Sequence, residues 1–73
     1  MILNDMIPTN VRISKREKEI LYLLSESYTS MEIANMLYLS KRTVDFHRAN
    51  LMVKLGAKNA AMLIKKAIEY GLL

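Results

Sequence analysis

The stretch TSMEIANMLYLSKRTVDFH, residues 29 to 47, decides the fold of this chain. It begins with a capping box, in which the Thr29 hydroxyl can accept from the amide of Glu32 while the Glu32 carboxylate reaches back. After only about two helical turns, a new cap follows at Ser40. So tight a connection makes two helices cross steeply. The stretch therefore predicts a helix-turn-helix unit over about residues 30 to 49.

The flanking sequence predicts a helix on each side of this unit. SKRE at residues 14 to 17 forms another capping box, so a first helix should follow it and run to about Glu26. The third helix should end at Gly56, which supplies a left-handed residue, and a fourth should begin after Asn59 and end before Gly71. We therefore expect an all-α fold of four helices, with a short second helix and a longer third. Helix two is too short for a generic four-helix bundle of near-parallel helices.

Length and composition allow one small domain. The chain has 73 residues, 52% of them hydrophobic, and no cysteine, so apolar packing alone must hold it together. Residues 1 to 12 show no period and are expected to form a flexible lead-in, with the domain over 13 to 73. No apolar run approaches the roughly 18 residues of a membrane span, and we expect a cytoplasmic protein with no membrane partner.

The charge balance points towards a polyanionic partner. Eleven Lys and Arg stand against seven Asp and Glu, which gives a formal net charge of +4. Such a charge suits a nucleic acid, although it also serves solubility in many small domains. The placement of the charges must decide between the two interpretations.

The third helix, about residues 41 to 55, can be divided into two faces at about 100 degrees per residue. Val44, His47, Leu51 and Leu55 are set inward. The outward set is Arg42, Asp45, Phe46, Ala49, Asn50 and Val53. A helix that enters a major groove needs small residues at close approach and side chains that match base edges, and Ala49 meets the first need. Lys41, Arg42 and the Thr43 hydroxyl stand at a helix N-terminus that favours phosphate.

Four segments in order carry a family resemblance: ISKREKEIL, TSMEIANML, LSKRTVDFH and KLGAKN. From Ile13 to Leu73, the chain resembles the LuxR-type helix-turn-helix domain, also called GerE- or NarL-type. The resemblance implies a bacterial transcription regulator that binds double-stranded DNA as a homodimer, with the third helix in the major groove and the fourth supplying the dimer contact. RNA polymerase or another regulator would be a further partner.

The resemblance and the helical faces together define the expected sites. The expected DNA-binding residues are Thr29, Ser30, Met31, Lys41, Arg42, Thr43, Asp45, Phe46, Arg48, Ala49 and Lys54. The expected dimer contact comprises Ala61, Met62 and Lys65, which lie off the apolar stripe of helix four.

Asp45 departs from the resemblance, because similar domains usually carry Lys or Arg at this position. Its carboxylate can pair with Arg42 or Arg48 and orient a guanidinium towards DNA. Alternatively, it can accept a hydrogen bond from cytosine N4 and read that base. A third interpretation is that DNA binding has been lost.

Three other positions have specific expectations. An outward Phe46 can meet a thymine methyl or fold back onto helix two. The stem of Arg48 can lie along the core while its head reaches a phosphate. Ser27 stands where a glycine usually ends helix one, so a positive φ there would cost on the order of 1 kcal/mol.

Catalysis and metal binding find little support in the sequence. The serines are explained by caps, and a phosphate-binding glycine loop is missing. His47 has neither a cysteine nor an acidic cluster beside it, so we expect a structural histidine, no metal and no cofactor. The competing function is a protein-interaction module that keeps the fold but binds another regulator through Phe46, Val53 and helix four.

Overall fold

The computed structural model describes residues 11 to 73. These residues form four helices and no strand, which confirms the all-α prediction. The helices are α1 (Lys15–Ser25), α2 (Ser30–Leu37), α3 (Lys41–Leu55) and α4 (Ala60–Glu69). Most of the expected lead-in, residues 1 to 10, lies outside the described residues. Among residues 11 to 73, no helix is long and apolar enough to cross a membrane.

Both capping boxes form as the sequence predicts. The Ser14 hydroxyl accepts from the Glu17 amide at 3.0 Å, and Glu17 Oε1 accepts from the Ser14 amide at 2.8 Å. The corresponding distances between Thr29 and Glu32 are 3.2 and 2.8 Å. These bonds satisfy amides that lack an intrahelical partner, so local chemistry explains where α1 and α2 begin.

The helix ends also follow local chemistry. Gly56 ends α3 with φ 68°, and Gly71 follows α4 with φ 73°. Ser27 has φ 72°, the left-handed conformation in which a side chain is strained, and so has Tyr38 with φ 58°. Ser27 lies in the connection after α1, and Tyr38 lies in the tight connection between α2 and α3. Two connections of the fold thus use left-handed residues other than glycine.

Helix α3 lies at the centre of the packing and contacts the other three helices. Each helix contributes to one buried apolar core: Ile20, Leu21, Ile33, Ala34, Val44, Leu51, Leu55, Leu63 and Ala67. Fully burying one large side chain contributes about 1.5 to 3 kcal/mol. Because α3 is held from three sides, its remaining face has a defined orientation towards solvent.

The packed part of the chain begins slightly before α1. Val11 and Ile13 are partly buried and pack against the core. Val11 lies two residues before the domain start expected at Ile13. The sequence did not indicate its contact with the core, because an isolated apolar side chain shows no helical period.

Candidate nucleic-acid interface

Four of the six residues predicted to face outward on α3 are exposed, whereas Asp45 and Asn50 are half-buried. The exposed fraction is 63% for Phe46 and 81% for Val53, and Arg42 and Ala49 are also exposed. Phe46 therefore does not fold back onto α2. Its ring instead makes an edge contact with His47, with centroids 6.0 Å apart. The exposed residues of this face are one cation together with small and apolar side chains, a composition that suits close approach to base edges and thymine methyls.

The N-terminus of α3 carries two exposed cations. Ser40 caps the helix by accepting from the Thr43 amide at 3.0 Å, and the two hydroxyls of these residues are hydrogen-bonded at 2.9 Å. Lys41 and Arg42 follow the cap and are exposed. A helix N-terminus with adjacent cations favours an anion such as a backbone phosphate.

Asp45 pairs with a lysine. Lys41 Nζ donates to Asp45 Oδ2 at 2.7 Å, across one helical turn. The prediction of an ion pair with Arg42 or Arg48 thus named the wrong cation, because the i, i+4 spacing to Lys41 brings its ammonium directly over the carboxylate. The hydrogen bond from Lys41 lowers the pKa of Asp45 below its ordinary value of 3.8, with further contributions from the Ser30 hydroxyl and the charge of Arg48.

Arg48 reaches the N-terminus of α2. Its Nη1 donates to the Ser30 hydroxyl at 2.6 Å. Ser30 itself is only 5% exposed, which leaves little surface for the direct DNA contact expected of it. Its hydroxyl instead accepts a hydrogen bond from the Arg48 guanidinium. We infer that Ser30 positions the side chain of Arg48 at the edge of the outward face of α3.

Lys54 lies in the last turn of α3 and pairs with a buried acid. Its Nζ donates to Glu17 Oε1 at 2.7 Å. Glu17 is 4% exposed, and burial on its own would raise its pKa. The hydrogen bonds from Lys54 and the Ser14 amide outweigh that effect and hold the pKa of Glu17 below 4.5. Because this contact joins α3 to α1, we leave Lys54 out of the proposed interface.

Two other residues of the expected interface lie at the start of α2. Thr29 is exposed and caps the helix, and Met31 is 53% exposed. Thr29 and Met31 border the same groove as Lys41, Asp45 and Arg48. The structure therefore brings the start of α2 and the first two turns of α3 to one surface.

One ring nitrogen of His47, Nδ1, is buried without a hydrogen bond in the described part of the chain. Among residues 11 to 73, no group of three or more His, Cys, Asp or Glu side chains could hold a metal ion.

The expected dimer contact lies on the solvent side of α4. Ala61 and Lys65 are exposed, and Met62 is half-buried. Ile68 continues this face and is 61% exposed. Ile68 was not among the residues expected on this face, although its position three residues after Lys65 on the same helix places it there.

Comparison with known proteins places this arrangement in a family. The model of "Bacterial regulatory proteins, luxR family" matches residues 11 to 67. The chain is 45% identical over 60 residues to the uncharacterized response regulatory protein YgeK of Escherichia coli, an alignment that covers 82% of this chain and 41% of that protein. It is 43% identical over 61 residues to the oxygen regulatory protein NreC of Staphylococcus aureus, which covers 84% of this chain and 28% of that protein.

The chain thus spans less than half the length of these two relatives. The match nevertheless includes all of α1, α2 and α3 and most of α4. On this evidence, the chain belongs to the LuxR family of bacterial regulatory proteins.

Proposed function

We propose that this domain binds double-stranded DNA in a sequence-specific manner and serves a bacterial transcription regulator. The observation that carries the proposal is the surface of α3, whose N-terminus presents two cations and whose outward face presents small and apolar side chains. The packing of α3 against three other helices supports the proposal, since a reading helix must keep a defined orientation.

In the proposed complex, α3 lies in the major groove. Lys41, Arg42 and the Thr43 hydroxyl contact phosphates at its N-terminus, where the amides of the first turn add positive potential. Thr29 and Met31 approach the neighbouring backbone from the start of α2. These contacts set the register of the domain on the duplex without reading its sequence.

Base reading falls to the outward face of α3. Ala49 allows close approach of the helix to the floor of the groove, and Phe46 offers a ring to a thymine methyl. Arg48, which Ser30 holds at 2.6 Å, lies beside this face and can reach a phosphate.

We further propose that the domain acts as a homodimer on DNA, through the face of α4 that carries Ala61, Met62 and Lys65. Two-fold symmetry would match two half-sites about one helical turn of DNA apart. Contacts with RNA polymerase or another regulator would complete its role in the cytoplasm. The proposed function is binding rather than catalysis and uses no cofactor.

One observation favours a second candidate function. Phe46 and Val53 are 63% and 81% exposed on the same helix, and exposed apolar side chains of this size also serve protein interfaces. The domain would then bind another regulator through α3. That binding would depend little on salt, because apolar contacts release few counterions.

Selection from genomic DNA fragments tests the proposed function directly. The purified domain is mixed with fragments at low salt, and the retained fragments are sequenced. We expect enrichment of a short palindromic motif, since a symmetric dimer reads two equivalent half-sites. Arg42→Glu should abolish the enrichment, whereas Lys15→Glu, which makes the same charge change at an exposed position of α1, should preserve it. Retention of random fragments only would contradict the proposal.

A further inference from the structure

A groove of about 440 Å³ runs along the start of α2 and the first two turns of α3, and Leu24 of α1 and Ala60 of α4 also border it. Lys41, Asp45 and Arg48 line it, together with Ser30. It therefore holds one carboxylate and two cations on the surface that we propose to face DNA.

The donors around Asp45 are those that would suit a phosphate. Lys41 Nζ lies 2.7 Å from its Oδ2. The Ser30 hydroxyl and the charge of Arg48 both favour the ionised carboxylate, as the lowered pKa of Asp45 indicates. An ammonium, a hydroxyl and a guanidinium are also the side-chain groups that most often contact DNA phosphates. The carboxylate thus occupies an anion-binding environment.

We propose that the Asp45 carboxylate is an internal competitor of the DNA phosphate for Lys41. This inference rests on the proposed function. In the free protein, Asp45 neutralises the ammonium of Lys41, and the ammonium must leave the carboxylate before it can serve a phosphate. Asp45 therefore lowers the affinity of the domain for DNA of any sequence and leaves base discrimination to the other outward residues of α3.

Competition for Lys41 differs from simple repulsion between Asp45 and DNA. A carboxylate that only repels phosphates would weaken binding whether or not Lys41 were present. A competitor acts through Lys41, so its effect disappears once the ammonium has been removed. The two mechanisms are separated by a double-mutant cycle of Asp45→Asn and Lys41→Gln.

The cycle is measured as the salt dependence of binding to a mixed-sequence duplex. Asp45→Asn keeps the shape of the side chain, and it should raise affinity and steepen the slope of log affinity against log salt by about 0.9, the value for one added phosphate contact. In the Lys41→Gln background, the same change should leave the slope unaltered. An equal gain in both backgrounds would mean simple repulsion and would overturn the inference.

Base preference provides a second outcome. Against a randomised site library, Asp45→Asn should show the same preferred sequence as the wild-type protein, because the competitor acts at a phosphate contact. If Asp45 instead accepts a hydrogen bond from cytosine, preference for one base pair per half-site would relax by roughly 5- to 150-fold, which corresponds to about 1 to 3 kcal/mol. That result would overturn the inference and establish base readout.

A measurement without DNA tests the ion pair itself. The pKa of the Asp45 carboxyl can be followed by NMR in the free protein and should rise towards 3.8 in Lys41→Gln. An unchanged pKa would show that Lys41 does not hold the carboxylate and would contradict the inference, whatever the DNA measurements show.

Failure of the inference is distinguishable from failure of the proposed function. If the wild-type protein binds DNA and Asp45→Asn has the same effect with and without Lys41, only the proposal that Asp45 competes with phosphate is overturned. If neither the wild-type protein nor any variant binds DNA at low salt, the proposed function fails and the competitor fails with it. Binding that appears only after Asp45→Asn, and only with Lys41 present, would support the competitor but contradict DNA binding by the wild-type protein.

Discussion

The ammonium of Lys54 lies 2.7 Å from Oε1 of Glu17, and the two residues thereby join the last turn of α3 to the start of α1. The same carboxylate oxygen accepts from the Ser14 amide at 2.8 Å. One buried acid thus completes the cap of α1 and holds the far end of the helix that we propose to enter DNA. The orientation of α3 depends on this contact as well as on the apolar core.

We expect Glu17→Gln to lower the free energy of unfolding by about 1 to 3 kcal/mol, because a charge-assisted hydrogen bond is lost and Lys54 loses its partner. Urea unfolding followed by circular dichroism measures the change. Glu19→Gln is the matched control, since Glu19 pairs with Arg16 at 3.3 Å on the exposed side of α1. The control should change stability by less than about 0.5 kcal/mol. Equal effects of the two substitutions would contradict a structural role for the Lys54–Glu17 pair.

The same acid predicts a pH dependence of stability. Its pKa in the folded protein is below the ordinary value of 4.5, so the folded state binds the Glu17 proton less tightly than the unfolded state does. The stabilisation is therefore fully present above pH 4.5 and is lost as the pH falls through the folded pKa. The difference in unfolding free energy between the wild-type protein and Glu17→Gln should therefore shrink as the pH falls from about 4.5 towards about 3. A difference that stays constant over this range would count against the assignment.

The left-handed serine after α1 offers a stabilising change. Ser27 has φ 72° and is exposed, so Ser27→Gly removes the strain of a side chain in this conformation. We expect a gain of about 1 kcal/mol and a rise of roughly 4 to 8 °C in the thermal midpoint. Ser27→Ala keeps the Cβ atom and should bring no comparable gain. If alanine stabilises the domain as much as glycine does, backbone strain is not the cause.

The proposed dimer contact on α4 can be tested on DNA. Ala61→Glu and Met62→Glu each place a negative charge on that face, and we expect both to weaken binding to a DNA with two half-sites while sparing a single half-site. Gel-shift titrations on the two DNAs measure this, and the single half-site serves as an internal control for folding. Equal losses on both DNAs would argue against dimerisation through α4.

Local chemistry made most of the fold predictable from the sequence. The bonds that start α1 and α2 join residues three apart, and the left-handed Gly56 and Gly71 lie directly after helices. Such signals can be read from a short window of sequence, and so can the exposed face of α3, which follows from helical period alone.

The contacts that modify the site were less predictable, because they depend on side-chain choices or on distant parts of the chain. Lys54 and Glu17 are 37 positions apart, and Ser30 and Arg48 are 18 apart, so no local spacing could pair them. Asp45 had three cations within one turn, and the i, i+4 spacing that selects Lys41 was readable from the sequence. Burial of Ser30 likewise follows from how α2 packs, since its position suggested an accessible residue at the start of a helix.

The salt dependence of DNA binding by the wild-type protein tests the central claim most directly. Affinity for a fragment retained in the genomic selection is measured between about 50 and 200 mM salt. Contacts to two or more phosphates predict a slope of log affinity against log salt of about −2 or steeper, and Arg42→Gln should reduce its magnitude by about 0.9 while Lys15→Gln leaves it unchanged. A slope near zero, or no binding even at the lowest salt, would contradict DNA binding and favour a domain that contacts another protein through α3.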